Sequence, residues 1–141
     1  MSGEGPAIRI DVLLSLLLAY GAASLFHHIH NAEFLSEYPN LPAWLSRAQV
    51  YTAWLGTTAV GLAGYFLVHW RYRLPGLIVL GVYGLLGLDS LGHYAVAPTS
   101  AHTLTMNLTI GLEVATALLL LAAVASFLLR LAREHHASVQ R

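Results

Sequence analysis

The sequence has no cysteine, so disulfides, thiolate metal sites, iron–sulfur clusters, covalent c-type haem attachment and cysteine nucleophiles are all excluded. Lysine is absent too: the seven basic residues are all arginine, balanced by seven Asp or Glu for a formal net charge of zero. That balance gives no basic footprint for a nucleic-acid partner. Charged residues make up only 10% of the chain and apolar ones 57%, whereas a soluble domain carries about a quarter charged residues. So few polar side chains cannot cover a water-exposed surface. The apolar excess must face lipid. Against that background the chain carries eight histidines, and these call for an explanation.

A membrane-spanning helix needs about 20 largely apolar residues to cross a hydrocarbon core of about 30 Å. Four windows qualify, at about residues 8–31, 46–69, 74–97 and 101–131. Val12 to Leu25 and Ala115 to Leu129 lack the polar face that a soluble amphipathic helix keeps. The connections are short and punctuated by Pro39, Asn40 and Pro42, by Arg71 to Pro75, and by Pro98 to Ser100. The expected fold is all-α: one polytopic membrane domain over residues 1–141, a four-transmembrane-helix bundle running up-down-up-down. The tails, Met1 to Pro6 and Glu134 to Arg141, are expected to lie free of it. The first span is read as a retained helix and not a cleaved signal, because no multiply charged segment precedes it.

Arginine placement orients the bundle, since positive residues favour the cytoplasmic side. Arg9, Arg71, Arg73, Arg130, Arg133 and Arg141 share one side, and Arg47 lies on the other. Both termini are therefore expected in the cytoplasm, with the first and third loops outside, as in a bacterial inner membrane. Tyr38, Trp44 and Tyr94 then suit the outer interface, and Trp70 and Tyr72 the inner one.

With that topology the intramembrane polar residues gather in the outer half. The first span ends in Ser24, His27, His28, His30 and Asn31; the third ends in Asp89, Ser90 and His93. The fourth begins with His102, Met106, Asn107, Thr109 and Glu113. At 3.6 residues per turn, Tyr20, Ser24, His27 and Asn31 form one stripe, Asp89 and His93 are i, i+4 neighbours, and His102, Met106, Thr109 and Glu113 form another. The segments Ser24-Leu25-Phe26-His27 and Ser90-Leu91-Gly92-His93 echo one another, as two hairpins related by a pseudo-two-fold axis would. Glu113 is expected about 18 Å below the start of its helix. A carboxylate there costs about 2.5–3.5 kcal/mol on insertion scales. A bound proton, a His partner or a cation must offset that cost.

These residues support three functional readings. In the first, His27, His30, His93, His102 and Asp89 hold a divalent metal, zinc or iron, and Glu113 and Asp89 serve as catalytic acid or base. The metal activates water, or the side chains act alone, on a lipid or isoprenoid substrate reached from the bilayer. In the second, two of these histidines ligate haem b, with Met106 as a further axial donor and Asn107 beside the cofactor. In the third, the polar residues relay protons or divalent ions. The dry inner half, Val114 to Leu129, then requires other helices or a homo-oligomer to complete the path. Beside all three stands a purely structural polar network. His69, His135 and His136 belong to the arginine-rich rim, and His28 to an interface. Gly56, Gly61, Gly64, Gly81, Gly84 and Gly87 either let helices approach closely or leave room for a bulky ligand.

Overall fold

A computed structural model describes residues 10–140 and is all-helical over them. Its helices are α1 (Ile10–Glu33), α2 (Arg47–His69), α3 (Arg73–Leu86), α4 (Gly92–Val96) and α5 (Leu104–Val139). Short 3₁₀ turns occupy Leu35–Glu37, Asp89–Leu91 and Thr99–Ala101. Met1 to Pro6, Arg9 and Arg141 lie outside the described residues.

Local chemistry explains where the helices begin. Ser46 caps α2: its hydroxyl accepts from the Gln49 amide while the Gln49 side chain accepts from the Ser46 amide, a reciprocal capping box. Thr103 caps α5, with its hydroxyl accepting from the Met106 amide and the Met106 sulfur accepting from the Thr103 amide. Two expectations are corrected here. The stretch after Glu134, read as a free tail, continues α5 to Val139, which makes this helix 36 residues long. That is about 54 Å at 1.5 Å per residue, more than a bilayer core requires. The third span is not one helix either: α3 stops at Leu86, a 3₁₀ turn follows, and α4 resumes at Gly92.

Among the described residues three segments are long and apolar enough to cross a membrane: Asp11–Glu33, Arg73–Val96 and Leu104–Val139. Four such segments were expected. α2 has the length, at 23 residues, but Gln49, Thr52, Thr57, Thr58 and His69 dilute its apolar content.

The four long helices pack in a ring. α1 lies against α2 and α5, and α3 against the same two, so α1 and α3 face each other across a diagonal. A single stripe of α1 is buried throughout: Leu13, Leu17, Tyr20, Ser24, His27 and Asn31. α5 buries Met106, Ile110, Glu113, Ala117, Leu120, Val124 and Phe127 in the same way. The interior therefore changes character along its length. Leu13, Leu17, Leu77, Leu80, Leu120 and Val124 form an apolar core at one end, while Ser24, His27, Asn31, His102 and Glu113 are the buried polar residues at the other. Outward faces carry Leu18, Phe26, Leu55, Leu62, Phe66, Ile78, Val82, Leu112 and Leu119, all exposed.

Glycines set the closest approaches. A Cβ on Gly64 would stand 2.9 Å from the Leu80 amide nitrogen, and one on Gly76 would stand 2.7 Å from that of Val68; α2 and α3 thus meet backbone to backbone. A Cβ on Gly61 would strike the Tyr83 ring, and one on Gly87 the Tyr20 hydroxyl. The two tyrosines meet on the diagonal with ring centroids 4.4 Å apart. Gly61, Gly64, Gly84 and Gly87 are thus filled by neighbouring groups. Gly56 meets nothing within 4 Å.

Candidate functional site

The polar end of the bundle encloses a cavity of about 180 Å³ lined by His27, His28, Asn31, Asp89, Ser90, His93 and Glu113, with Tyr20 at its floor. Glu113 and His27 are each only 2% exposed. Their facing atoms, Glu113 Oε2 and His27 Nε2, are 3.8 Å apart. Ser24 and Ser90, the first residues of the two echoed segments, both stand beside the Glu113 carboxyl. The His27 and His93 rings, the last residues of those segments, lie edge to face at 5.3 Å. The repeat thus brings a serine to the carboxylate and a histidine to the cavity wall from each side of the diagonal.

The ring nitrogens have distinct partners. His27 Nδ1 and the Thr109 hydroxyl are 3.4 Å apart, and that hydroxyl also donates to the Met106 carbonyl, so the arrangement favours Nδ1–H on His27 with Nε2 turned to Glu113. His28 Nδ1–H donates to the Ser24 carbonyl at 2.8 Å, and His102 Nδ1–H donates to the Pro98 carbonyl at 3.0 Å. His93 Nε2 accepts from the Asn31 amide nitrogen at 3.4 Å. His28 and His102 thus present Nε2 as a free lone pair, and that of His93 is taken up by Asn31. A bare Nε2 facing a carboxylate oxygen in a dry site would be repulsive. The His27–Glu113 pair therefore holds a proton on one partner or the other.

Several expected site residues stand elsewhere. Asp89 is exposed and sits in the 3₁₀ turn, not on a regular helix, and it lines the same cavity as His93. His30 lies apart from the cavity in a groove between α1 and α5, where its Nδ1 and the Tyr38 hydroxyl share a 2.9 Å hydrogen bond. His102 precedes α5 and is not part of its stripe; the loop carries it inward until its ring is 6.1 Å from that of His93. Met106 is buried at the α5 cap. Asn107 pins the third loop: its amide donates to the Thr99 and His102 carbonyls and its oxygen accepts from the Tyr94 hydroxyl. Glu113 is nine residues into α5, about 14 Å, which corrects the expected depth because the helix begins at Leu104.

Two contributors were missed. His28, expected at an interface, lines the cavity. Tyr38, expected at the outer interface, is 3% exposed and its ring lies 5.0 Å from that of His93. Burial pushes its phenol up to about 12, so it stays protonated over any working range. Nothing local predicts this position. The first loop folds back over the bundle and is held there by Asn40, whose amide donates to the Val96 carbonyl at 2.9 Å, and by Glu33, which accepts from Tyr51 and pairs with Arg47.

Among the described residues, no group of three or more His, Asp or Glu side chains is placed to hold one metal ion. What the cavity does offer is acceptors: the buried side-chain atoms on its wall that lack a partner are Asn31 Oδ1 and Glu113 Oε2. No protein-family model, no curated protein and no solved structure matches the chain.

Proposed function

We propose that this chain is an integral membrane protein whose polar cavity performs acid–base chemistry on a hydrophobic or lipid substrate, with His27 and Glu113 as the proton-handling pair. The observation that carries the reading is the buried, unpartnered Glu113 Oε2 facing His27 Nε2 at 3.8 Å. An intramembrane carboxylate is costly to keep, and the large majority of buried side-chain oxygens find a partner. The separation is longer than a hydrogen bond, as catalytic contacts often are before substrate closes them. His93 and Asp89 extend the polar wall.

The test is made on protein purified in mild detergent. Infrared difference spectra across pH are expected to show a carboxyl band that Glu113→Gln removes and His27→Gln shifts. A band insensitive to both substitutions would defeat the reading. Absorption and elemental analysis of the same sample decide between this form and the cofactor forms: a Soret band favours haem b, and near-stoichiometric zinc or iron favours a metal-dependent reaction.

In this reading all four long helices cross the bilayer, α2 included, because its outward Leu55, Leu62 and Phe66 are exposed like the lipid faces of the others. Arg71, Arg73, Arg130 and Arg133 face the cytoplasm together with both termini. The native absence of cysteine makes this directly measurable. Ala43→Cys is expected to react with an impermeant maleimide on intact cells and Ser138→Cys only after permeabilisation. The reverse pattern would invert the topology.

A further inference from the structure

His27 and Glu113 are each only 2% exposed, so a proton that the pair takes up or releases must pass along neighbouring groups. Toward His93 the connection stops: its Nε2 accepts from the Asn31 amide nitrogen at 3.4 Å, and an amide donates a hydrogen bond without giving up its proton. Toward Thr109 it continues. The Thr109 hydroxyl is 3.4 Å from His27 Nδ1 and also stands beside the Tyr38 hydroxyl, which shares a 2.9 Å hydrogen bond with His30 Nδ1. His30 is half-buried in a groove of about 360 Å³ between α1 and α5. The exposed Glu33 lines both that groove and the space beneath the first loop. Three separate pieces of chain thus converge on one line: α1 with His27 and His30, α5 with Thr109, and the first loop with Tyr38.

We propose that Thr109, Tyr38 and His30 form the proton path that connects the buried His27–Glu113 pair to the first-loop side of the protein. This deepens the acid–base reading of the same pair and rests on it. Every group on the path both donates and accepts: a hydroxyl has one proton and two lone pairs, and an imidazole exchanges protons at two nitrogens. On release the Glu113 proton passes to His27 Nε2 and the His27 Nδ1 proton to the Thr109 oxygen. The Thr109 proton moves to the Tyr38 oxygen, the Tyr38 proton to His30 Nδ1, and the Nε2 proton of His30 to water or to Glu33 in the groove. One proton enters the path and one leaves it, and uptake retraces the same steps. Between transfers the Thr109 hydroxyl turns about its C–O bond and rests on the Met106 carbonyl at 3.0 Å. Tyr38 stays on the line because Asn40 fastens the first loop to the Val96 carbonyl at 2.9 Å.

The Glu113 carboxyl band provides the readout. A laser flash frees protons from a caged acid in a sample of the full-length protein in mild detergent, and infrared detection records the rate at which the band grows. Thr109→Val keeps the side-chain shape and removes the hydroxyl; Tyr38→Phe removes the next one; His30→Gln leaves Tyr38 a partner that passes no proton on. Each is expected to slow uptake by about 10²-fold, the low end of what a positioned proton-transfer group contributes. Thr109→Ser restores the hydroxyl and is expected to recover the parent rate. Rates are compared at each variant's own band midpoint, and a retained melting transition verifies folding.

An unchanged rate in any of the three slowed variants would overturn the path, as would a Thr109→Ser rate as low as that of Thr109→Val, since Thr109 would then act through packing. Uptake slowed by Asp89→Asn and untouched by Thr109→Val would move the route to the Asp89 wall of the cavity and overturn it too. The two readings fail separately. A Glu113 band that titrates at a rate indifferent to the path substitutions loses this inference and keeps the acid–base pair. A parent protein without a titrating Glu113 band loses the acid–base pair, and the path falls with it.

Discussion

Gly64→Leu is expected to destabilise the bundle by about 3 kcal/mol, near the upper end of what overpacking costs. Thermal unfolding in detergent should show a midpoint lower by about 10 °C, from roughly 3–4 °C per kcal/mol in a chain of this size. The physical reason is that the new Cβ meets main chain, which cannot rotate away. It would stand 2.9 Å from the Leu80 nitrogen and 3.2 Å from the Gly76 carbonyl oxygen. Hydrophobic burial cannot compensate, because inside a bilayer lipid tails are as apolar as the neighbouring helix and helices associate by close packing. Gly56→Leu on the same helix is the control: nothing lies within 4 Å of its Cβ, and a surface change of this kind is worth within about 0.5 kcal/mol. Equal midpoints for the two variants would mean that α2 does not pack on α3 through Gly64, and the ring of four helices would fall with that contact.

Glu113→Gln is expected to separate stability from function. In the native protein Glu113 Oε2 is buried without a partner, a condition that costs about 1–3 kcal/mol. The glutamine amide keeps the shape and can donate to His27 Nε2, so the variant should be as stable as the parent or more stable, by about 1 kcal/mol. That gain is a rise of about 3 °C in the melting midpoint. Glutamine cannot take up or release the proton, so turnover that depends on the pair should fall by about 10²- to 10⁴-fold, the usual contribution of a positioned acid or base. A sharp loss of stability would show instead that the ionised carboxylate is a structural anchor. His27→Gln supplies the complementary check, since it removes the base while leaving the carboxyl in place.

Much of this architecture is legible in the order of residues. The stripe Tyr20, Ser24, His27, Asn31 follows from helical periodicity alone and is buried along its length. The start of α2 is readable because Ser46 and Gln49 spell a capping box. Glu113 stands out as a lone carboxylate in an apolar run, and its burial follows. The failures share one cause: they involve residues whose placement depends on chain outside a regular helix. The i, i+4 spacing of Asp89 and His93 presumed a continuous helix, whereas a 3₁₀ turn at Asp89–Leu91 intervenes. Tyr38 and His102 sit in loops, where no period links sequence position to direction. His30 has the right depth but faces the α1–α5 groove, because one step along a helix turns a side chain by about 100°.

What the sequence determined by itself is therefore the solvent and the local periodicity: an all-helical chain with apolar outward faces, its ionisable residues collected toward one end, and no chemistry that needs cysteine or lysine. Those properties depend on composition and on spacing of a few residues, which every helix obeys wherever it packs. Only the tertiary structure decided which of the collected residues meet. It brought His27 and His93 together across the diagonal, set Glu113 between Ser24 and Ser90, folded Tyr38 inward and put Asp89 on the wall of the same cavity. These contacts join residues up to about ninety positions apart, from Ser24 to Glu113. They are fixed by backbone approaches at Gly64 and Gly76 and by the loop held through Asn40, and close packing between distant segments has no signature in the order of residues along either one.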